Sequence, residues 1–200
     1  MSNIKLFNRW DFEGIVVNDP GLKPYINLKP VIIPKSGGRY SKQKFHKSKM
    51  NIVERFANKL MVPGHRGKKH LLTSGRNTGE TQTIFKIIKE VFEKIEQKTK
   101  ENPLKVFVGA LENASLREEI TSYQMGGTMV RKAVITSPQR RVDAALMIIT
   151  QSSYRKSFGK KISMADALVD EIINAYKNDT TKSEAIKEKE RIEREAGGAR

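Results

Sequence analysis

Read from residue 50 onward, the chain shows apolar residues at helical spacing. Ile52, Val53, Phe56 and Leu60 lie on one face of a helix that ends near Met61, before Pro63-Gly64. Ile84, Ile88, Val91 and Ile95 follow at intervals of 4, 3 and 4 and predict a longer helix. Asn102-Pro103 reads as an N-cap with proline at the first helical position, and Leu104, Phe107, Val108 and Leu111 continue it as an i, i+3, i+4, i+7 stripe. The period then changes. Residues 118–125 and 128–136 are rich in Ile, Val, Thr and Tyr, and Gly126-Gly127 between them suits a two-residue turn that needs positive φ. Ser137-Pro138 restarts a helix with Val142, Ala145, Leu146 and Ile149 inward. Ser163 and Asp166 resemble a capping box ahead of Leu168, Ile172 and Tyr176.

Residues 1–48 lack such a period. Prolines at 20, 24, 30 and 34 with Gly21, Gly37 and Gly38 argue against long helices, although "GIVV" and "PVII" could add edge strands. Residues 181–195 alternate in charge and read as an exposed or partner-dependent helical tail. The division expected is an N-terminal extension over 1–48, basic toward its end, a helical core over 49–178 with a hairpin at 118–136, and a charged tail over 179–200. The fold class is mainly α: a bundle of about six helices with one protruding β-hairpin and an extended basic N-terminal segment. Both terminal segments are expected to be mobile when alone, for want of apolar surface to bury. The two-stranded hairpin is marginal in water, so either it folds back on the helices or a partner holds it.

Charge narrows the function. The net charge is +16. Residues 35–69 hold eleven basic residues against Glu54 alone, a net of +10, and residues 128–161 hold eight against Asp143 alone, a net of +7. These sum to +17, which leaves −1 for the rest of the chain. Basicity confined to two windows is the footprint of a polyanion partner. Lys42, Lys44, Lys47 and Lys49 alternate with Tyr40, Phe45 and His46, which offers phosphate contacts beside stacking surfaces. Arg140 and Arg141 fall in the first turn of their helix and would repel its positive end unless an anion sits between them.

Catalytic readings find little support. The loop after Pro63 does not match GxxxxGK[ST], because its glycines are too closely spaced and Lys68 is followed by Lys69. His46, His65 and His70 form no i, i+4 pair and have no carboxylate beside them in sequence, so no metal site is expected. Glu118-Glu119 and Asp170-Glu171 are adjacent pairs, which diverge on a helix and read as solvated faces. With no cysteine, there is no disulfide or thiol nucleophile. The first ten residues do not resemble a signal peptide and no apolar run is long enough for a membrane span, so an intracellular protein without a membrane partner, cofactor or small-molecule substrate is expected. On these residues alone, a DNA-binding regulator with a helical core remains the alternative to an RNA-binding protein.

The segments "GRYSKQKFHKSKMNIVERFANKLM", "GRNTG", "KENPLKVFVGALENASLREEIT", "VITSPQRRVDAALMII", "ISMADALVDEIINAYKND" and "SEAIKEKERIEREAGGAR" together resemble the ribosomal small-subunit protein seven family in its archaeal and eukaryotic form. The resemblance spans most of residues 38–200. It implies a cytoplasmic, ribosome-bound protein that binds the ribosomal RNA of the small-subunit head and helps nucleate assembly there. It implies ribosomal RNA contacts at Arg39, Lys42, Lys44, Lys47, Lys49, Lys68, Lys69, Arg76, Asn77, Arg131, Lys132, Arg140, Arg141 and Lys156. It further implies that Tyr123, Gln124, Met125, Gly126, Gly127, Thr128 and Met129 form a hairpin tip near the exit-site transfer RNA and messenger RNA path, with other head proteins as neighbours. The loop over 62–74 is longer than the family leads one to expect, and "ETQ" follows "GRNTG" where a lysine pair is common.

Overall fold

The helices form where the apolar stripes and caps predict them. The structure of the chain, a computed structural model, describes residues 4–66, 69–70 and 77–200. Its α-helices are α1 (Ile52–Leu60), α2 (Thr81–Thr99), α3 (Pro103–Ala114), α4 (Pro138–Ser157), α5 (Met164–Tyr176) and α6 (Glu184–Gly197). A short pair, β1 (His65–Arg66) and β2 (Lys69–His70), precedes the long hairpin of β3 (Glu118–Met125) and β4 (Thr128–Ile135). Asn51 caps α1 by accepting from the Val53 amide at 2.9 Å, and Asn102 caps α3 by accepting from the Leu104 amide at 3.0 Å. At α5, Ser163 Oγ accepts from the Asp166 amide at 3.0 Å and donates to the Asp166 carboxylate at 2.6 Å. Ser137 occupies the N-cap of α4 but makes no side-chain capping bond there, so Pro138 alone supplies the start signal.

α5 is the central helix, packed against α2, α3 and α4. Its approach to α3 is set by Gly109, where an added Cβ would lie 2.7 Å from the Tyr176 ring. The stripes of α1 to α5 close one core that includes Phe56, Phe92, Phe107, Leu146 and Ile172.

Two expectations change at the termini. Residues 4–48 contain no long helix, yet they bury Leu6, Trp10, Phe12, Leu22 and Ile26 in that core. Trp10 meets Phe92 edge-on at 5.5 Å and donates from Nε1 to Glu96 at 3.2 Å. "GIVV" and "PVII" form no strand, because the bundle offers them helices rather than a sheet edge. Ile15, Val17 and Val31 pack singly on the core while Val16, Ile32 and Ile33 face outward. The apolar surface thought missing is also present at the other end. Ala185, Ile186 and Ala196 of α6 are buried, and α6 lies against β3 and α4. Lys189 donates to the Asn113 carbonyl at 2.7 Å, which ties α6 to the end of α3. The packing thus removes the physical reason given for mobile ends.

Trp10→Ala is expected to lower stability by about 3–5 kcal/mol, the range for a buried aromatic, in chemical denaturation; a detached extension would give no change. Gly109→Ala is expected to cost about 1–3 kcal/mol by overpacking. In a double-mutant cycle that loss should largely disappear when Tyr176 is also changed to alanine, since the two sites share one contact.

Candidate nucleic-acid interface

Two basic windows separated in sequence are brought into contact because α1 packs on α4. Asp143, in the second turn of α4, accepts from Lys47 Nζ at 2.8 Å and from Arg55 at 3.2 Å. Burial alone would raise the Asp143 carboxyl; the Lys47 hydrogen bond and the charges of Arg55 and Lys47 outweigh it and hold the group below its ordinary range. Arg55 is 1% exposed and also donates to the Tyr25 carbonyl at 2.8 Å, so the same cluster grips the N-terminal segment.

Along this segment Arg39, Lys42 and Lys44 are exposed and make no ion pair among the described residues. Phe45 stands 73% exposed directly after them, at a left-handed φ of 63°. Lys49 Nζ lies 3.0 Å from His46 Nε2, at the end of a 3-10 turn over His46–Lys49.

The hairpin register decides what each face of the ribbon carries. Ser122 pairs with Arg131 and Thr121 with Lys132, and opposed residues share a face while neighbours along a strand alternate. Arg131 therefore lies on the face with Ser122, Gln124 and Met129, and Lys132 on the other with Thr121, Tyr123 and Val130. Both cations are exposed and unpaired among the described residues. At the tip Gly126 and Gly127 take φ of 55° and 86°, as a type I′ turn requires. Tyr123, Met125 and Met129 are exposed beside it, and Gln124 and Thr128 complete an uncovered tip.

The base of the ribbon is held by the protein itself. Arg140 makes two parallel bonds to Glu119, at 2.6 and 2.7 Å, while remaining 65% exposed. Arg141 is only 14% exposed; it reaches Asp19 at 2.6 Å and the Leu116 carbonyl at 2.9 Å. The anions that these first-turn arginines require are thus carboxylates of the same chain. Arg200 pairs with Glu118 at 2.5 Å, and the Ala133 amide donates to the Ala199 carbonyl at 3.3 Å, so the C-terminus clasps the same spot.

A profile of the family described as "Ribosomal protein S7p/S5e" matches residues 22–200. The chain belongs to that family. It is 53% identical to the small ribosomal subunit protein uS7 of Nanoarchaeum equitans over 197 residues, covering 98% of this chain and 99% of that protein. It is 44% identical to the protein of the same name in Methanothrix thermoacetophila, covering 98% and 100%, and 45% identical to that of Methanococcus aeolicus, covering 98% and 99%. Membership in this ribosomal protein family makes the chain a structural protein and not an enzyme.

The residues carried over from the family fall into three groups. Arg39, Lys42, Lys44, Lys49, Arg131 and Lys132 present charge to solvent, and Lys47 and Arg140 do so while paired. Arg141, Lys156 and Asn77 are turned inward. Lys156 pairs with Glu171, which is fully buried and also accepts from Ser183 Oγ and the Ala185 amide, both at 2.8 Å. The lysine and this carboxylate fasten α4 and α5 to the start of α6, so Glu171 is no solvated surface group. Asn77 is 8% exposed at φ 74°. Lys68 and Arg76 lie outside the described residues, and Lys69 is described only by its backbone in β2. Sequence reasoning did not single out Lys160 and Lys161, which stand exposed in the loop after α4 beside the partly exposed Phe158. The signal was present, since both fall in the second basic window. No helix among the described residues is long and apolar enough to cross a membrane, and no group of three His, Asp or Glu side chains among them could hold a metal.

Asp143→Asn is expected to lower stability at neutral pH by about 2–3 kcal/mol, because it leaves Arg55 buried without its counter-charge. The folded-state pKa of Asp143 is depressed, so its contribution is present above the unfolded value of 3.8 and is lost as pH falls below it. The difference in melting temperature between wild type and variant should therefore shrink as pH drops below about 4; a difference constant down to pH 2 would contradict this.

Proposed function

We propose that the protein is a structural constituent of the small ribosomal subunit that binds the ribosomal RNA of the head in the cytoplasmic ribosome and nucleates folding of that region. The single observation that carries this reading is the joining of the two basic windows through Asp143 in a member of a ribosomal protein family. Unpaired cations beside an exposed aromatic suit a single-stranded or irregular RNA, where phosphates fix the protein and bases stack. The ribbon is the second limb of the interface. Eight residues per strand at about 3.3 Å each give a reach of roughly 26 Å, enough to carry Arg131 and Lys132 to phosphates on either side and the tip further outward. That tip, Tyr123 to Met129, would approach the exit-site transfer RNA and messenger RNA path, with neighbouring head proteins around it.

Binding to a transcript of the small-subunit head RNA should exceed binding to duplex DNA of matched length. The salt dependence should be steep, with a log–log slope of about −7 to −9 for roughly ten phosphate contacts. Arg131→Ala/Lys132→Ala should reduce the magnitude of that slope by about two and leave the melting temperature unchanged, since neither side chain touches the core. Equal affinity for both polymers, with a shallow slope, would overturn the proposal.

A further inference from the structure

The cluster around Asp143 holds more positive charge than the protein neutralises. Lys47 and Arg55 both bond to the one carboxylate, and Lys59, one turn beyond Arg55 on α1, is half-buried beside them. Three cations around one acid leave a net charge of +2 in a partly desolvated cluster. Glu54, the neighbouring acid, turns instead to the Ser36 amide and hydroxyl, each at 2.7 Å, and makes no ion pair with these cations among the described residues. Lys59 makes no ion pair among the described residues. The Arg55 Nε is buried with no hydrogen-bond partner, so even the innermost cation has donor capacity to spare. Concentrated like charge in such a place is costly unless an anion completes it.

We infer that this cluster, where α1, the 3-10 turn over His46–Lys49 and the second turn of α4 meet, is a phosphate-binding site, with Lys59 and Lys47 as the donors that meet the anion and Arg55 as the buried cation beneath them. The Lys59 amine carries a matching signature: burial, then repulsion from Lys47 and Arg55, lowers its pKa despite the attraction of Asp143. A phosphate would reverse that balance. The ligand class is a phosphodiester of the RNA backbone, an identity that rests on the RNA-binding reading, whereas the anion site itself does not. Lys59 is thereby separated from the exposed lysines of residues 39–49, which can meet phosphates from many directions. Its position is fixed by α1, so it would hold one phosphate in one register.

The test uses the full chain with Lys59→Met, which keeps the stem and removes the charge, Lys59→Arg, which keeps the charge, and Lys105→Met as a control. Lys105 is exposed on α3, with its amine 3.0 Å from Glu101. Against the head RNA transcript, Lys59→Met should reduce the magnitude of the salt slope by about one, with Lys59→Arg and Lys105→Met matching wild type. In the free protein, replacing chloride by inorganic phosphate at equal ionic strength should raise the melting temperature more in wild type than in Lys59→Met. Equal slopes and equal phosphate gains in wild type and Lys59→Met would overturn the site, as would a slope lost equally in Lys59→Met and Lys105→Met. If wild type itself fails to bind the transcript, the RNA reading falls. The phosphate gain in the free protein then decides the site alone, and an equal gain in both proteins would overturn it.

Discussion

One carboxylate, Asp143, gathers cations from two segments that precede it by 96 and 88 positions. Without it Arg55 would sit in the interior with no counter-charge, and Lys47 would have nothing to draw its turn against α4. The rest of the arrangement follows from this contact. It fixes α1 to α4 and, through Arg55 and the Tyr25 carbonyl, holds the N-terminal segment on the bundle. It also aligns the basic turn with the helix that begins at the foot of the ribbon. Residues 128–161 contain no other acid, but Arg140, Arg141, Arg155 and Lys156 find carboxylates elsewhere in the chain, which leaves Arg131, Lys132, Lys160 and Lys161 without an ion pair among the described residues.

The ribbon divides its charges in a similar way. Near its base Glu118 and Glu119 are matched by Arg200 and Arg140, and backbone bonds run from Thr136 to Arg117 and from Ala133 to Ala199. A two-stranded ribbon is marginal by itself, and these contacts supply what it lacks where it leaves the protein. Beyond them the strands carry Arg131 and Lys132 with no acid opposite, and the tip is uncovered. A firm root and an unsatisfied outer half suit the ribbon proposed to meet RNA, because it would arrive already shaped, with little ordering left to complete on contact.

Helices with a continuous apolar stripe, and those opened by Asn102 or Ser163, were legible because period and cap agree in sequence. The hairpin was legible from Gly126-Gly127 between two β-rich runs. The buried role of residues 4–34 was not, since irregular chain buries Leu6, Trp10 and Phe12 one at a time and leaves no period to detect. Site residues divided along the same line. Exposed cations such as Lys42 followed from the charge pattern, and Arg131 from the family resemblance. Arg141 and Lys156 carry the same charge in sequence but point to Asp19 and Glu171, partners 122 and 15 positions away that only the fold brings near. Sequence reports charge, and tertiary structure decides whether that charge is already taken.

The central claim is that two distant basic windows act as one RNA surface. Amide hydrogen exchange of the full chain, free and bound to the head RNA transcript, tests it most directly. The account predicts that protection gained on binding appears together in residues 39–50 and 128–141, while the core helix α3 is unchanged because it is already closed. Protection confined to one window, or absent from both, would contradict it.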